Sequence, residues 1–256
     1  MRSFIAFFKK EVLEGIRSSK FVILGLFFLL FGIMNPAIAK LTPWMMEIFA
    51  ESLEGSGLIV GDVEVDALTS WVQFFKNIPM ALIVFVVMYS SAFTKEYESG
   101  TLVLVLTKGL ARYKVVLSKA LNMLFMWSWG YWFCYAVTFA YNAYFWDNSI
   151  AVGLTSAVIN WWMFGVFTIC IMVIFSALFR SNILVLLATG GSILVCYVVS
   201  LLPKVTNFMP TALMNSGALL IGAESADEYI KTVIIAVAVS VAVVALSIPI
   251  MNKRKL

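Results

Sequence analysis

A charged segment, residues 94–119 (TKEYESGTLVLVLTKGLARYKVVLSK), interrupts a sequence that is otherwise largely apolar. It carries the carboxylates of Glu96 and Glu98 together with five Lys or Arg side chains. Carboxylates and cations grouped in this way can form charge-assisted hydrogen bonds with a partner. Catalysis and metal binding through imidazole are excluded because the chain contains no histidine. The residue types therefore indicate recognition of another molecule rather than a chemical reaction.

The segment is predicted to form an elbow between two membrane spans. Glu96 and Glu98 suit the first turn of a short helix, where the helix dipole favours carboxylates. Lys108 and Gly109 should end that helix, and a second helix should start near Leu110 and run into the next span. A plain connection between helices needs only about two to eight residues. The greater length of this segment predicts a helix lying parallel to the membrane that serves as a docking surface.

The composition predicts a polytopic, all-α membrane protein. The chain is 62% hydrophobic and 12% charged, whereas soluble domains are about one quarter charged. Cys134, Cys170 and Cys196 all lie in apolar runs, at spacings that match no metal motif. They are expected to be core residues, and no metal site is predicted.

Six apolar runs are long enough to cross a bilayer core of about 30 Å. Asn35-Pro36 is expected to mark the exit of the first span, and Pro79 to lie in the first turn of the second. The predicted spans lie at about 21–39, 77–93, 120–146, 151–179, 182–202 and 232–251.

The distribution of Lys and Arg predicts that both termini are cytoplasmic. With that orientation only Lys40, Lys76, Lys204 and Lys231 of the 18 cations lie outside, which leaves 18 − 4 = 14 inside. The whole chain, 1–256, is then a single transmembrane domain in a plasma membrane.

Residues 2–19 are predicted to form an amphipathic helix in the headgroup layer. Its apolar arc contains Phe4, Ile5, Phe8, Val12 and Ile16, with Phe7 as the one misfit. The opposite face contains Lys10, Glu14 and Arg17, which suit contact with water and lipid headgroups. The helix could be a topology anchor or a lever that contacts a cytoplasmic partner.

The charged segment resembles the signature between the second and third spans of ABC type-2 export permeases. Lys108-Gly109 departs from that pattern, because family members often carry proline there. The layout of six spans is also similar, and residues 203–229 resemble the short helices that enter the outer leaflet between the last two spans. The residues that match the signature are Glu96, Glu98, Ser99, Gly100, Thr101 and Arg112.

This resemblance implies a transport subunit without its own motor. The chain contains no G-x-x-x-x-G-K-[ST] phosphate loop, so ATP and Mg²⁺ would be bound by a separate ATPase subunit, and no cofactor is expected here. The family pattern implies a pair of permeases, a homodimer or a pair with a similar chain, driven through residues 94–112. The implied cargo is an amphipathic peptide, a toxin, an antimicrobial or a lipid-like compound leaving a bacterial cell. Nucleic acid is not an expected partner.

Two further features allow alternative interpretations. The third span is rich in aromatic residues, which either pack and contact lipid or form a path for amphipathic cargo. The outer loop, 40–76, with Glu47, Glu51 and Glu54 on one helix face, is either a solvated surface or an acidic vestibule.

The ATGGS stretch at 188–192 could bring a second permease close. The candidate path residues are Trp127, Trp129, Trp132, Tyr135 and Asn142.

Two other functional classes are compatible with a polytopic membrane protein. A secondary carrier or channel without an ATPase is the main alternative, but the spans lack central charges and show no clear internal repeat. An intramembrane enzyme would need a Ser–Lys arrangement, and no Lys lies near the centre of a span.

Overall fold

A computed structural model describes residues 2–52, 65–107, 109–215 and 217–253. Within these residues the chain is helical and contains no β-strand. The α-helices are α1 (Arg2–Arg17), α2 (Ser19–Ser52), α3 (Ala67–Tyr89), α4 (Ser91–Glu98), α5 (Thr101–Thr107), α6 (Arg112–Phe145), α7 (Leu154–Leu178), α8 (Asn182–Ser200), α9 (Gly217–Leu220) and α10 (Ile230–Lys253).

Five helical stretches among the described residues are long and apolar enough to span a membrane. They comprise α2, α3 with α4, α7, α8, and α10 with the turn before it. Helix α6 is not among them, although its 34 residues correspond to about 50 Å of helix. Its many Trp and Tyr side chains have polar atoms that lower its mean hydropathy.

Helix α2 continues through Asn35-Pro36, so the turn predicted at these two residues is absent. Proline at position 36 removes the N–H that would bond the Gly32 carbonyl. The Thr138 hydroxyl of α6 donates to that carbonyl instead, at 3.0 Å. Asn35 is also buried and accepts a hydrogen bond from Asn77 of α3 at 2.9 Å. Tertiary contacts therefore satisfy the polar groups that would otherwise favour ending the helix.

Helix α3 begins about ten residues before the predicted second span. Asp66 caps its N-terminus, and its side chain accepts a hydrogen bond from the Thr69 N–H at 2.9 Å. Pro79 consequently lies in the interior of α3 rather than in its first turn.

Helices α2 and α6 run side by side in the same direction. The ring centroids of Phe21 and Trp129 are 4.3 Å apart at one end, and the Lys40 ammonium lies 3.6 Å from the Phe145 ring centroid at the other. Gly130 allows the approach between them, because a Cβ atom there would lie 2.3 Å from the ring of Phe28.

Helix α7 is the central helix and α8 is the peripheral one. More of the apolar stretch of α7 is buried than that of any other candidate span, whereas α8 buries little. Gly165 of α7 receives the indole of Trp127, where a Cβ atom would lie 2.3 Å from the ring. Gly190 and Gly191 of α8 have no atom near the position of a Cβ.

Residues 203–229 form several short turns rather than the predicted pair of short helices. The 3-10 turns are Thr206–Phe208, Pro210–Met214 and Ala226–Tyr229, and α9 lies among them. The turns pack on the bundle: the Trp161 indole N–H donates to the Met214 carbonyl at 3.1 Å.

Candidate functional site

The charged segment contains two glycine breaks around one short helix. Gly100 (φ 66°) and Gly109 (φ 86°) adopt left-handed conformations that side chains disfavour. Between them α5 forms a single seven-residue helix. Lys108, part of the predicted break, lies outside the described residues. Both glycines therefore turn the chain sharply on its way from α4 to α6.

The prediction that Glu96 and Glu98 occupy the first turn of a short helix was wrong. They lie in the last turn of α4, which follows α3 directly because Ser90 keeps helical dihedral angles (φ −55°, ψ −28°). The first left-handed residue after α3 is Gly100. Carboxylates are disfavoured at a helix C-terminus, so their placement requires nearby cations.

The cation that neutralises Glu96 is Lys119 of α6. Its ammonium lies 2.9 Å from the Glu96 carboxylate and 3.1 Å from that of Glu11 in α1. The Lys119 and Glu11 side chains are only 4% and 8% exposed. These contacts join α1, α4 and α6 at one end of the bundle, which we call the charged end.

Lys10 extends this group of ion pairs. Its ammonium lies 2.8 Å from Glu14, 3.1 Å from Glu11 and 3.7 Å from Glu96. Burial lowers the pKa of Lys10, but hydrogen bonds and charges from Glu14, Glu11 and Glu96 outweigh burial and raise it overall. The hydrogen bond from Lys10 lowers the pKa of Glu14. We call Lys10, Glu11, Glu14, Glu96 and Lys119 the ion-pair cluster.

Two further residues of the segment contact the ends of α7 and α10. The Tyr97 hydroxyl lies 3.4 Å from the Ser176 carbonyl and 3.2 Å from the Met251 sulfur. The Arg112 guanidinium donates to the carbonyls of Met251 and Asn252 at 2.6 and 3.1 Å. Arg112 thus caps the C-terminus of α10, where carbonyls lack helical partners and a cation is favoured.

The remaining signature residues face outward. Glu98, Ser99 and Thr101 are exposed, and the hydroxyls of Ser99 and Thr101 lie 2.9 Å apart. Arg17 is exposed in the last turn of α1. The predicted coupling residues therefore divide into an internal set, Glu96 and Arg112, and an exposed set around Gly100.

Sequence reasoning missed Glu11, Lys119 and Tyr97. A signal for Glu11 did exist: it follows the misfit Phe7 by four residues, so the two share one helix face. That face is buried against the bundle, whereas Ile5 and Ile16 of the predicted apolar arc are 61% and 40% exposed. No local pattern distinguishes Lys119, because its partners lie 23 and 108 residues away in the chain.

The candidate aromatic residues of α6 differ in their burial and in their neighbours. Trp127 is fully buried, and its indole N–H donates to the Trp162 carbonyl at 3.2 Å. Trp129 packs on Phe21 of α2, whereas Trp132 and Tyr135 contact each other with ring centroids 5.6 Å apart.

Asn142 is buried, and its side-chain amide has no hydrogen-bond partner among the described residues. The structure therefore places Trp127 and Asn142 among the buried residues, whereas Trp132 and Tyr135 lie on one face of α6 and contact each other.

The predicted acidic outer loop, 40–76, lies only partly within the described residues. Glu47 lies on α2, but residues 53–64, including Glu54, are outside the described part of the chain. Among the described residues, no three His, Cys, Asp or Glu side chains are grouped so that they could hold a metal ion.

Comparison with protein-family models gives one assignment. Residues 5–248 match the model of the ABC-2 family transporter proteins. Searches of curated proteins and of solved structures each found no match. Because the family match extends over nearly the whole chain, this protein belongs to the ABC-2 transporter family and is a membrane subunit of an ABC transporter.

Proposed function

We propose that this chain is the membrane half of an ATP-driven exporter and that a separate P-loop ATPase drives it through residues 94–112. The observation that carries the proposal is the division of the charged segment into two sides. One side is tied to the bundle through Glu96, Tyr97 and Arg112. The other side, at Glu98, Ser99 and Thr101, is exposed and available to a partner.

The contacts of the tied side supply a physical route for coupling. Glu96 leads to α1 and α6, Tyr97 to α7 and α10, and Arg112 again to α10. A partner that moved the exposed side would act on four helices at once. A rigid segment shared by several helices is the kind of element that switches between two arrangements.

Glu96 therefore takes a different role from the one its sequence position suggests. Its carboxylate is only 18% exposed and already contacts two ammonium groups. We assign Glu96 to transmission within the permease and Glu98 to contact with the ATPase.

The proposed arrangement has six spans with both termini in the cytoplasm. Helix α6 follows α2 along its length in the same direction, so a membrane that α2 crosses would also contain α6. Helix α1 would lie at the cytoplasmic surface, where its exposed Ile5 and Ile16 meet lipid. The excess of Lys and Arg at the charged end supports an orientation with that end in the cytoplasm, and we propose that the membrane is a bacterial plasma membrane.

A groove on the bundle supports a cargo with an apolar part. It lies between α3, α7 and α8, has a volume of about 540 Å³, and is lined by apolar side chains such as Val86, Phe164 and Leu194. We propose an amphipathic peptide, toxin, antimicrobial or lipid-like compound. Gly191 of α8 does not line the groove and has no atom near the position of a Cβ, which supports close contact with a second permease there.

Co-purification tests the proposed motor. The tagged chain is solubilised from its native membrane after crosslinking, and bound proteins are identified by mass spectrometry. Wild type should retain a P-loop ATPase, Glu98→Arg should lose most of it, and the exposed acid at the other end, Asp227→Arg, should retain it.

The alternative, a carrier or channel without an ATPase, makes the opposite prediction. Absence of an ATPase from the wild-type preparation after crosslinking would contradict our proposal. If the Glu98→Arg variant retains as much ATPase as wild type, the contact with the ATPase lies elsewhere on the chain.

A further inference from the structure

A polar cavity lies at the charged end of the bundle. Its volume is about 140 Å³, enough for several water molecules. The start of α2 forms one wall with Lys20, and the junction of α3 and α4 forms another with Tyr89 and Lys95. The end of α1 and the Lys119–Asn122 turn of α6 complete the lining.

The positive charges on this cavity are not fully paired. Glu11, Glu14 and Glu96 also line it, but each lies within ion-pair distance of Lys10 or Lys119. Lys20 and Lys95 form no ion pair with a described carboxylate. The lining contains three lysines and three glutamates, but the glutamates are also paired with Lys10, which lies outside the lining, so Lys20 and Lys95 remain its unpaired cations.

The Lys20 ammonium is held by two hydrogen bonds and has one further N–H donor. Its ammonium donates to the Met88 carbonyl at 2.8 Å and to the Ser91 hydroxyl at 3.2 Å. An ammonium group has three N–H donors, so one remains for a ligand. The ammonium also lies 5.6 Å from the ring centroid of Tyr89.

Two buried polar side chains of the lining have unused atoms. The hydroxyl of Tyr89 and the amide oxygen of Asn122 have no hydrogen-bond partner among the described residues. Tyr89 is 4% exposed and Asn122 7%. Burying such groups without partners is unfavourable, and a bound polar ligand would remove that cost.

We propose that this cavity binds a phosphate group, held by the ammonium groups of Lys20 and Lys95 and by the Tyr89 hydroxyl. Lysine binds phosphate as a point charge, and the Asn122 amide can rotate to present its N–H₂. The phosphate could belong to a lipid headgroup or to a free anion, since both have the same oxygens. The inference goes beyond the proposed export function and does not depend on it.

The test measures phosphate and lipid binding separately. For the free anion, inorganic phosphate is titrated onto the protein in phosphatidylcholine nanodiscs and followed by calorimetry. For the lipid, the protein is placed in equimolar phosphatidylcholine and phosphatidylglycerol, and retained lipid is identified by native mass spectrometry. Lys20→Gln and Lys95→Gln should each weaken binding by about tenfold, whereas Lys9→Gln, an exposed lysine of α1 outside the cavity, should not.

Tyr89→Phe keeps the test valid if Lys20→Gln fails to fold. It preserves the stacking of this ring on Phe85, with centroids 4.5 Å apart, and removes only the unpartnered hydroxyl. Binding should weaken, while the midpoint of thermal unfolding measured without ligand should stay unchanged or rise.

Each outcome decides the proposal. Specific retention of phosphatidylglycerol supports a lipid phosphate, and binding of inorganic phosphate alone supports a soluble ligand. The proposal is overturned if neither probe binds wild type more tightly than Lys95→Gln. It is equally overturned if Lys9→Gln weakens binding as much as the cavity variants do, because binding would then reflect only general surface charge.

Discussion

Substitution of Lys119 by methionine should destabilise the protein strongly, because it leaves two carboxylates without their main partner. The Lys119 ammonium lies 2.9 Å from Glu96 and 3.1 Å from Glu11. At an effective dielectric constant of about 20, each contact corresponds to about 5–6 kcal/mol of attraction before the cost of desolvation. Methionine keeps much of the volume and removes the charge.

The net loss is smaller than the sum of these attractions. Breaking a buried pair by removing one partner costs about 3–5 kcal/mol. Lys10 remains 3.1 Å from Glu11 and 3.7 Å from Glu96, so we expect the low end, about 3 kcal/mol. At about 2–4 °C per kcal/mol for a chain of this size, the unfolding midpoint should fall by about 6–12 °C.

The shift in the unfolding midpoint is measured by heating the protein in detergent and quantifying the remaining folded protein by size-exclusion chromatography. Lys9→Met, which changes an exposed lysine of the same end, should move the midpoint by no more than about 2 °C. Replacing both carboxylates as well, in Glu11→Gln/Glu96→Gln/Lys119→Met, should recover much of the loss, since no buried charge is then left unpaired. A single Lys119→Met variant as stable as the Lys9→Met control would refute the reasoning.

Three further substitutions test the packing. Thr138→Val should cost about 1–3 kcal/mol of stability by leaving the Gly32 carbonyl unbonded. The cost should be much smaller in a Pro36→Ala background, where the N–H of residue 36 can bond the same carbonyl. Equal costs in the two backgrounds of this double-mutant cycle would contradict the explanation. Gly165→Ala should destabilise by about 1–3 kcal/mol through overlap with the buried indole, whereas Gly217→Ala, at an open position, should be neutral or stabilising in the same thermal assay. Arg112→Gln should raise hydrogen exchange in the last turn of α10 by about tenfold through loss of its cap, and unchanged exchange there would show that the cap contributes nothing.

The sequence predicted the class of fold because composition and apolar run length are local properties. Five helical stretches long and apolar enough to span a membrane are present among the described residues, and the break at Gly109 followed from the freedom of glycine. The turn expected at Asn35-Pro36 is absent because Thr138 and Asn77, distant in the chain, satisfy the groups that proline and asparagine would leave free.

The candidate site shows more clearly that contacts between residues distant in the chain cannot be predicted from local sequence. The signature around Gly100 was visible as a motif, but nothing in the motif distinguishes the internal Glu96 from the exposed Glu98. That difference depends on Lys119, which approaches only when α6 packs beside α4. Aromatic content likewise could not separate the buried Trp127 from the exposed Trp132.

Site-specific photocrosslinking tests the central claim most directly. A photoreactive amino acid is introduced at Glu98 in native membranes, with Tyr144, 82% exposed at the opposite end of α6, as the matched control position. Our account predicts a crosslinked P-loop ATPase from position 98 and none from position 144. A functional transporter that gives no ATPase product from position 98, or the same product from both positions, would contradict it.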